Sequence, residues 1–119
     1  MTTPQQQPLN ENGTVTLDSD GNGTLAMKPW GGSVTWQPTL VSVSVETNTS
    51  EASCKIYIGP SATAPYFVDG TLSGSTGDSS AKVSGFGVDT HGNTLWAVWE
   101  GGDSGAVATM QVNGTMVGA

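Results

Sequence analysis

Between Thr39 and Glu46 the chain reads TLVSVSVE, with Val41, Val43 and Val45 alternating with Ser42 and Ser44. A period of two puts the valines on one face of an extended chain and the serines on the other. An α-helix would turn Val43 away from Val41 and Val45, so the three share a face only in a half-buried strand. The same spacing returns in Cys54, Ile56 and Ile58. It returns in shorter form in Val15 and Leu17, in Leu25 and Met27, and in Val34 and Trp36. Tyr66 to Val68, Leu95 to Trp99 and Ala106 to Val112 add three more apolar runs. Turn residues divide the runs about every 8–12 positions, the rhythm of an all-β domain.

Composition supports the same class. There are 17 glycines among 119 residues, against a usual share of about 7%. Thr, Ser and Val are frequent, while the helix formers Leu, Lys, Arg and Glu are scarce. Only 35% of residues are hydrophobic, so the core must be thin, as between two packed sheets. The expectation is one antiparallel β-sandwich, Ig-like or jelly-roll-like, of about eight short strands. Its expected core is Val41, Val43, Val45, Cys54, Ile56, Ile58, Leu95 or Trp96, Ala108 and Met110.

Residues 1–8, all Met, Thr, Pro and Gln, read as a flexible N-terminal arm, with the sandwich over 9–119. Pro29 and Pro38 are expected to end strands. Asn12-Gly13-Thr14, Asn22-Gly23-Thr24 and Asn113-Gly114-Thr115 read as one reused turn, because Asn and Gly tolerate positive φ. Glu100 to Gly105 reads as a hairpin loop joining the last two strands. Residues 71–80 read as a polar loop or weak edge strand. Val83 and Phe86 lie among glycines.

Ten acids against three lysines, with no arginine, leave a net charge of −7. Lys28, Lys55 and Lys82 cannot neutralise a run of phosphates, so no nucleic-acid partner is expected. Anionic membranes are disfavoured for the same reason, and no apolar run is long enough for a transmembrane helix. The start, MTTPQQQPLNENG, has neither a basic nor an apolar export region, so synthesis and folding in the cytoplasm are expected. Cys54 is the only cysteine, so there is no internal disulfide. Its simplest role is that of a small buried hydrophobe.

Three motifs hint at chemistry. Gly102-Asp103-Ser104-Gly105 matches the surroundings of the nucleophile in trypsin-like serine proteases. That mechanism also needs a His base and an orienting Asp. His91, the only histidine, lies in a turn sequence, so the expectation is no enzyme and no catalytic residue. Asp18-Ser19-Asp20-Gly21-Asn22-Gly23 fits the first half of a calcium loop, making Asp18, Asp20 and Asn22 weak metal candidates. Its twelfth position is Pro29, where a bidentate Glu belongs, so neither a metal nor another cofactor is expected. Asn12, Asn22, Asn48 and Asn113 sit in N-x-[ST] sequons, which this composition produces by chance.

Trp30, Trp36, Trp96 and Trp99 are the interface candidates, since Trp anchors protein contacts. Trp96 and Trp99 are three apart and face opposite sides of a strand, so one belongs to the core. Exposed rings can also stack on sugars, with Trp30, Trp36 and Trp96 as the candidates for a host glycan.

Several stretches carry a family resemblance together: GNGT at 21–24, TWQPTLVSVSVETN at 35–48, ASCKIYIG at 52–59, FVDGTLSGSTGDSS at 67–80 and LWAVWEGGDSGAVATMQVNG at 95–114. They resemble small β-rich virion proteins encoded among the structural genes of tailed phages that infect Actinobacteria. The resemblance implies a non-enzymatic structural role on a virion, as a minor tail protein or a capsid decoration. It implies contacts with other virion proteins in a homo-oligomer or multi-copy layer. The alternative is a glycan-binding sandwich that contacts the host cell envelope.

Overall fold

The computed structural model describes residues 5–31, 33–46, 52–73, 78–82 and 87–118. Among these residues there are eight strands: β1 (Gln5–Thr16), β2 (Gly23–Met27), β3 (Thr35–Val45), β4 (Ala52–Gly59), β5 (Phe67–Ser73), β6 (Asp78–Lys82), β7 (Thr94–Glu100) and β8 (Val107–Gly118). A 3-10 turn, Ala64–Tyr66, precedes β5. The strands form two four-stranded sheets, one in the order β1-β8-β3-β6 and the other β2-β7-β4-β5. Every pairing is antiparallel.

The chain changes sheet at every connection except the one from β4 to β5. Eight strands wound this way over two sheets make a jelly roll, which decides between the two expected sandwich types. The β7–β8 link, with Gly101 and Gly105 at positive φ, therefore joins the two sheets and is not a hairpin. The β1–β2 turn crosses in the same way. These two links hold each other: Gly102 N–H donates to the Gly21 carbonyl at 3.0 Å, and Gly105 N–H donates to that of Leu17 at 3.1 Å.

The core lies between the sheets. Val41, Val43 and Val45 of β3 meet Cys54, Ile56 and Ile58 of β4, with Ala108, Met110 and Val112 of β8 beside them. Leu95 is the buried member of the Leu95/Trp96 alternative. Trp99 fills the centre with no exposed surface. Its indole N–H has no acceptor among the described residues, a cost of about 1–3 kcal/mol. Burying the ring gains roughly 4–6 kcal/mol, so packing wins.

The two sheets differ in length. β1 and β8 have 12 residues each and pair throughout, from Gln5↔Gly118 to Thr16↔Val107. The sheet that holds them, called here the long sheet, extends past the short sheet, whose β2 has five residues. Trp36 closes the overhang by bridging to Val88, and both are buried with Leu9.

Three expectations need correction. Gln5 to Pro8 belong to β1, so the described half of the expected arm is strand, paired with Thr115 to Gly118 of β8. Pro38 does not end β3 but sits at a register shift between Pro38 and Leu40, where a strand tolerates the missing donor. Two of the three Asn-Gly-Thr sequences are not turns, because Gly13 lies inside β1 and Gly114 inside β8. Both glycines allow close approach. A Cβ on Gly13 would press on Leu25 and Met27, and one on Gly114 would meet the backbone of Gln37 and Pro38. Residues 71–73 and 78–80 lie in β5 and β6, while Val83, Phe86 and Asn48 lie outside the described residues.

Candidate functional site

The alternation that buries one face of the short sheet presents the other face to solvent. On that outer face the register sets Ala26 beside Trp96, Trp96 beside Tyr57, and Tyr57 beside Phe67. Neighbouring strands lie about 4.8 Å apart, so this row spans roughly 14 Å across four strands. Phe67 is 48% exposed, and Tyr57 and Trp96 are half-buried.

The row is held in place from below and from one end. Trp96 Nε1–H donates to the Gly59 carbonyl at 2.9 Å, which fixes the indole. Gly59 also lets the Tyr66 ring lie against the backbone, because a Cβ there would collide with it. Tyr57 and Phe67 meet edge to face, with centroids 5.8 Å apart and planes at 74°. The result is a ridged aromatic surface, with exposed Lys55 in the next row.

The four Trp candidates therefore separate. Trp36 and Trp99 are core residues of this domain, 4% and 0% exposed, because their positions face inward in β3 and β7. They are not surface anchors. Trp96 stands in the aromatic row. Trp30 is 91% exposed and borders a groove of about 460 Å³ between β1 and β2. Sequence reading missed Phe67 and the role of Tyr57, since only strand register brings residues 57, 67 and 96 together.

The chemical motifs resolve into turns. Asp18 Oδ1 accepts from the N–H groups of Asp20 and Asn22, at 2.9 and 3.0 Å, so the half calcium loop is an Asx turn closing on itself. No group of three or more His, Cys, Asp or Glu among the described residues could hold a metal ion. His91 lies before β7 and Ser104 after it, so the seven residues of β7 separate them by roughly 20 Å. His91 donates its backbone N–H to Asp89 Oδ1 at 2.8 Å. That bond and one from the Asn93 side chain hold the Asp89 carboxyl below its ordinary value. The lysines stand apart, Lys28 after β2, Lys55 on β4 and Lys82 on β6. Among the described residues no helix is long and apolar enough to cross a membrane.

No protein-family model matches the chain, and no curated protein matches it. Among solved structures, it is similar to a chain from Bacillus endospore appendages, described as a family of disulfide-linked pili. The likeness covers 94% of this chain and 91% of that one, at 14% identity and a TM-score of 0.45.

Proposed function

We propose that the chain is a non-enzymatic virion structural subunit, tail-associated or a capsid decoration. In this reading it docks on other virion proteins through the outer face of the short sheet. The aromatic row Trp96–Tyr57–Phe67 carries the proposal. Aromatic side chains fixed in a partly exposed patch are what protein interfaces use as anchors. The angle of 74° between Tyr57 and Phe67 gives ridges on which the side chains of a partner protein can interdigitate. The virion location is supported by the resemblance of residues 67–80 and 95–114 to phage structural proteins. A jelly roll suits such a subunit, as it serves in viral capsid proteins.

The test is particle composition. Mass spectrometry of purified phage particles should find the chain, and Tyr57→Ala or Phe67→Ala should remove it from particles while leaving it folded. Its absence from particles, or full attachment of both variants, overturns the reading. Titrating the tryptophan fluorescence with host cell-wall glycans should give no saturable quenching; saturation would mark the glycan module instead.

A further inference from the structure

The four edges of this sandwich are not alike. β2 and β6 have five residues each, and the β4–β5 pairing shifts register between Ile56 and Tyr57. Short edges and bulges are how sheet proteins prevent edge-to-edge pairing. β1 has neither protection: its 12 residues keep one unbroken register with β8, and no described strand pairs with its other side.

Hydrogen bonding shows which backbone groups that side presents. Leu17 N–H donates to the Ala106 carbonyl at 2.8 Å, continuing the β1–β8 register by one step. In an antiparallel pair, alternate residues bond to the same neighbour. The odd-numbered residues of β1 therefore bond to β8, and the even-numbered ones turn their backbone outward. On the β3 side, Glu46 N–H donates to the Val107 carbonyl at 2.8 Å, so β8 alternates as this requires. Pro8 falls on the outward set, where its missing N–H interrupts the edge. From Asn10 to Thr16 the outward donors and acceptors are continuous, and these residues carry one charge, Glu11.

We infer that this edge is a self-association site, at which Asn10–Thr16 pairs antiparallel with the same segment of a second copy. The uninterrupted stretch is centred on Gly13, so a two-fold axis beside Gly13 uses all of it on both copies. Asn12 then faces Thr14 of the partner subunit, and Asn10 faces Thr16 of the partner subunit, each pair exchanging backbone hydrogen bonds. Glu11 faces Val15 of the partner subunit, so the pairing of two chains of charge −7 brings no acids together at its seam. The groove beside this edge has Leu25 and Met27 in its lining, and the added strand extends the long sheet across its mouth. An unrelated extended peptide could use the same backbone groups, but this segment meets its own symmetry and charge requirements.

Sedimentation of the full chain over a range of concentrations should show dimers of the 12.1 kDa protein. Asn12→Pro removes an outward N–H, leaves the bonds to β8 intact, and should give monomers. Should that variant fail to fold, a charge pair decides. Copies carrying Asn12→Asp and Thr14→Asp should be monomeric alone, as should copies carrying Asn12→Lys and Thr14→Lys, and mixing the two should restore dimers. A wild-type chain that stays monomeric at millimolar concentration overturns the inference. Dimers that survive either substitution also overturn it, because another face must then hold them. Tyr57→Ala should leave the dimer intact, which separates this site from the aromatic row.

Discussion

Tyr57 of β4 and Trp96 of β7 stand directly opposite each other on the outer face of the short sheet, with the Trp96 indole N–H held by the Gly59 carbonyl. This pair converts an ordinary half-buried face into a fixed aromatic patch. Replacing Phe67 with Ala removes a ring that is already about half solvated, so the cost to stability should be roughly 1 kcal/mol. Denaturant unfolding measures it. A loss of several kcal/mol would mean that Phe67 belongs to the core and not to a contact surface.

The inward face makes the opposite prediction. Val43 is 1% exposed in the middle of β3. Val43→Asp places an unpaired carboxylate between the sheets and should cost several kcal/mol, enough to unfold the domain or lower its melting temperature steeply. A variant that melts with the wild type would contradict the assigned core.

Cys54 gives a prediction in pH. Burial pushes its thiol from 9.0 to about 12, and a hydrogen bond with the Val98 backbone offsets only part of that rise. Above the ordinary value the unfolded chain loses this proton while the folded chain keeps it. The contribution is full below pH 9.0 and is lost as pH rises toward about 12, at no more than about 1.4 kcal/mol per pH unit. Cys54→Ala should remove this part of the alkaline destabilisation. Equal slopes for the wild type and the variant, in denaturant unfolding at rising pH, would refute it.

Strand faces were legible in the sequence and strand partners were not. Period two placed Val41, Val43, Val45, Cys54, Ile56 and Ile58 inward, and all six are buried. The Gly-rich segment at 100–105 and the Asp-rich segment at 18–23 announced chain reversals. Nothing in their residues says whether the chain re-enters the same sheet or crosses to the other, because local φ preferences are alike in both. The hairpin expectation failed for that reason. Trp36 and Trp99 were equally ambiguous as core or surface, since a large ring serves either place. The aromatic row depends on residues 57, 67 and 96, which only the registers of β4 with β5 and β7 bring together.

Turn geometry can be tested through two glycines with similar backbones. Gly21 has φ +78° and Gly105 φ +79°. A Cβ on Gly21 would strike the Gly102 carbonyl, whereas one on Gly105 meets nothing within 4 Å. Gly105→Ala should cost only the left-handed penalty, about 1–2 kcal/mol. Gly21→Ala should cost clearly more, because it also parts the two inter-sheet links. Thermal melts rank them; equal losses would contradict the contact. Calcium should leave the wild-type melting temperature unchanged, since the Asp18 carboxylate already closes its own turn; a ligand of the native state would raise it.

The docking face is tested most directly by hydroxyl-radical footprinting of Trp96, Tyr57 and Phe67 on free protein and on protein bound to phage particles. Free protein should be modified at Phe67 and Tyr57, and bound protein should be protected at both. Equal modification of these residues in the two states would contradict the account.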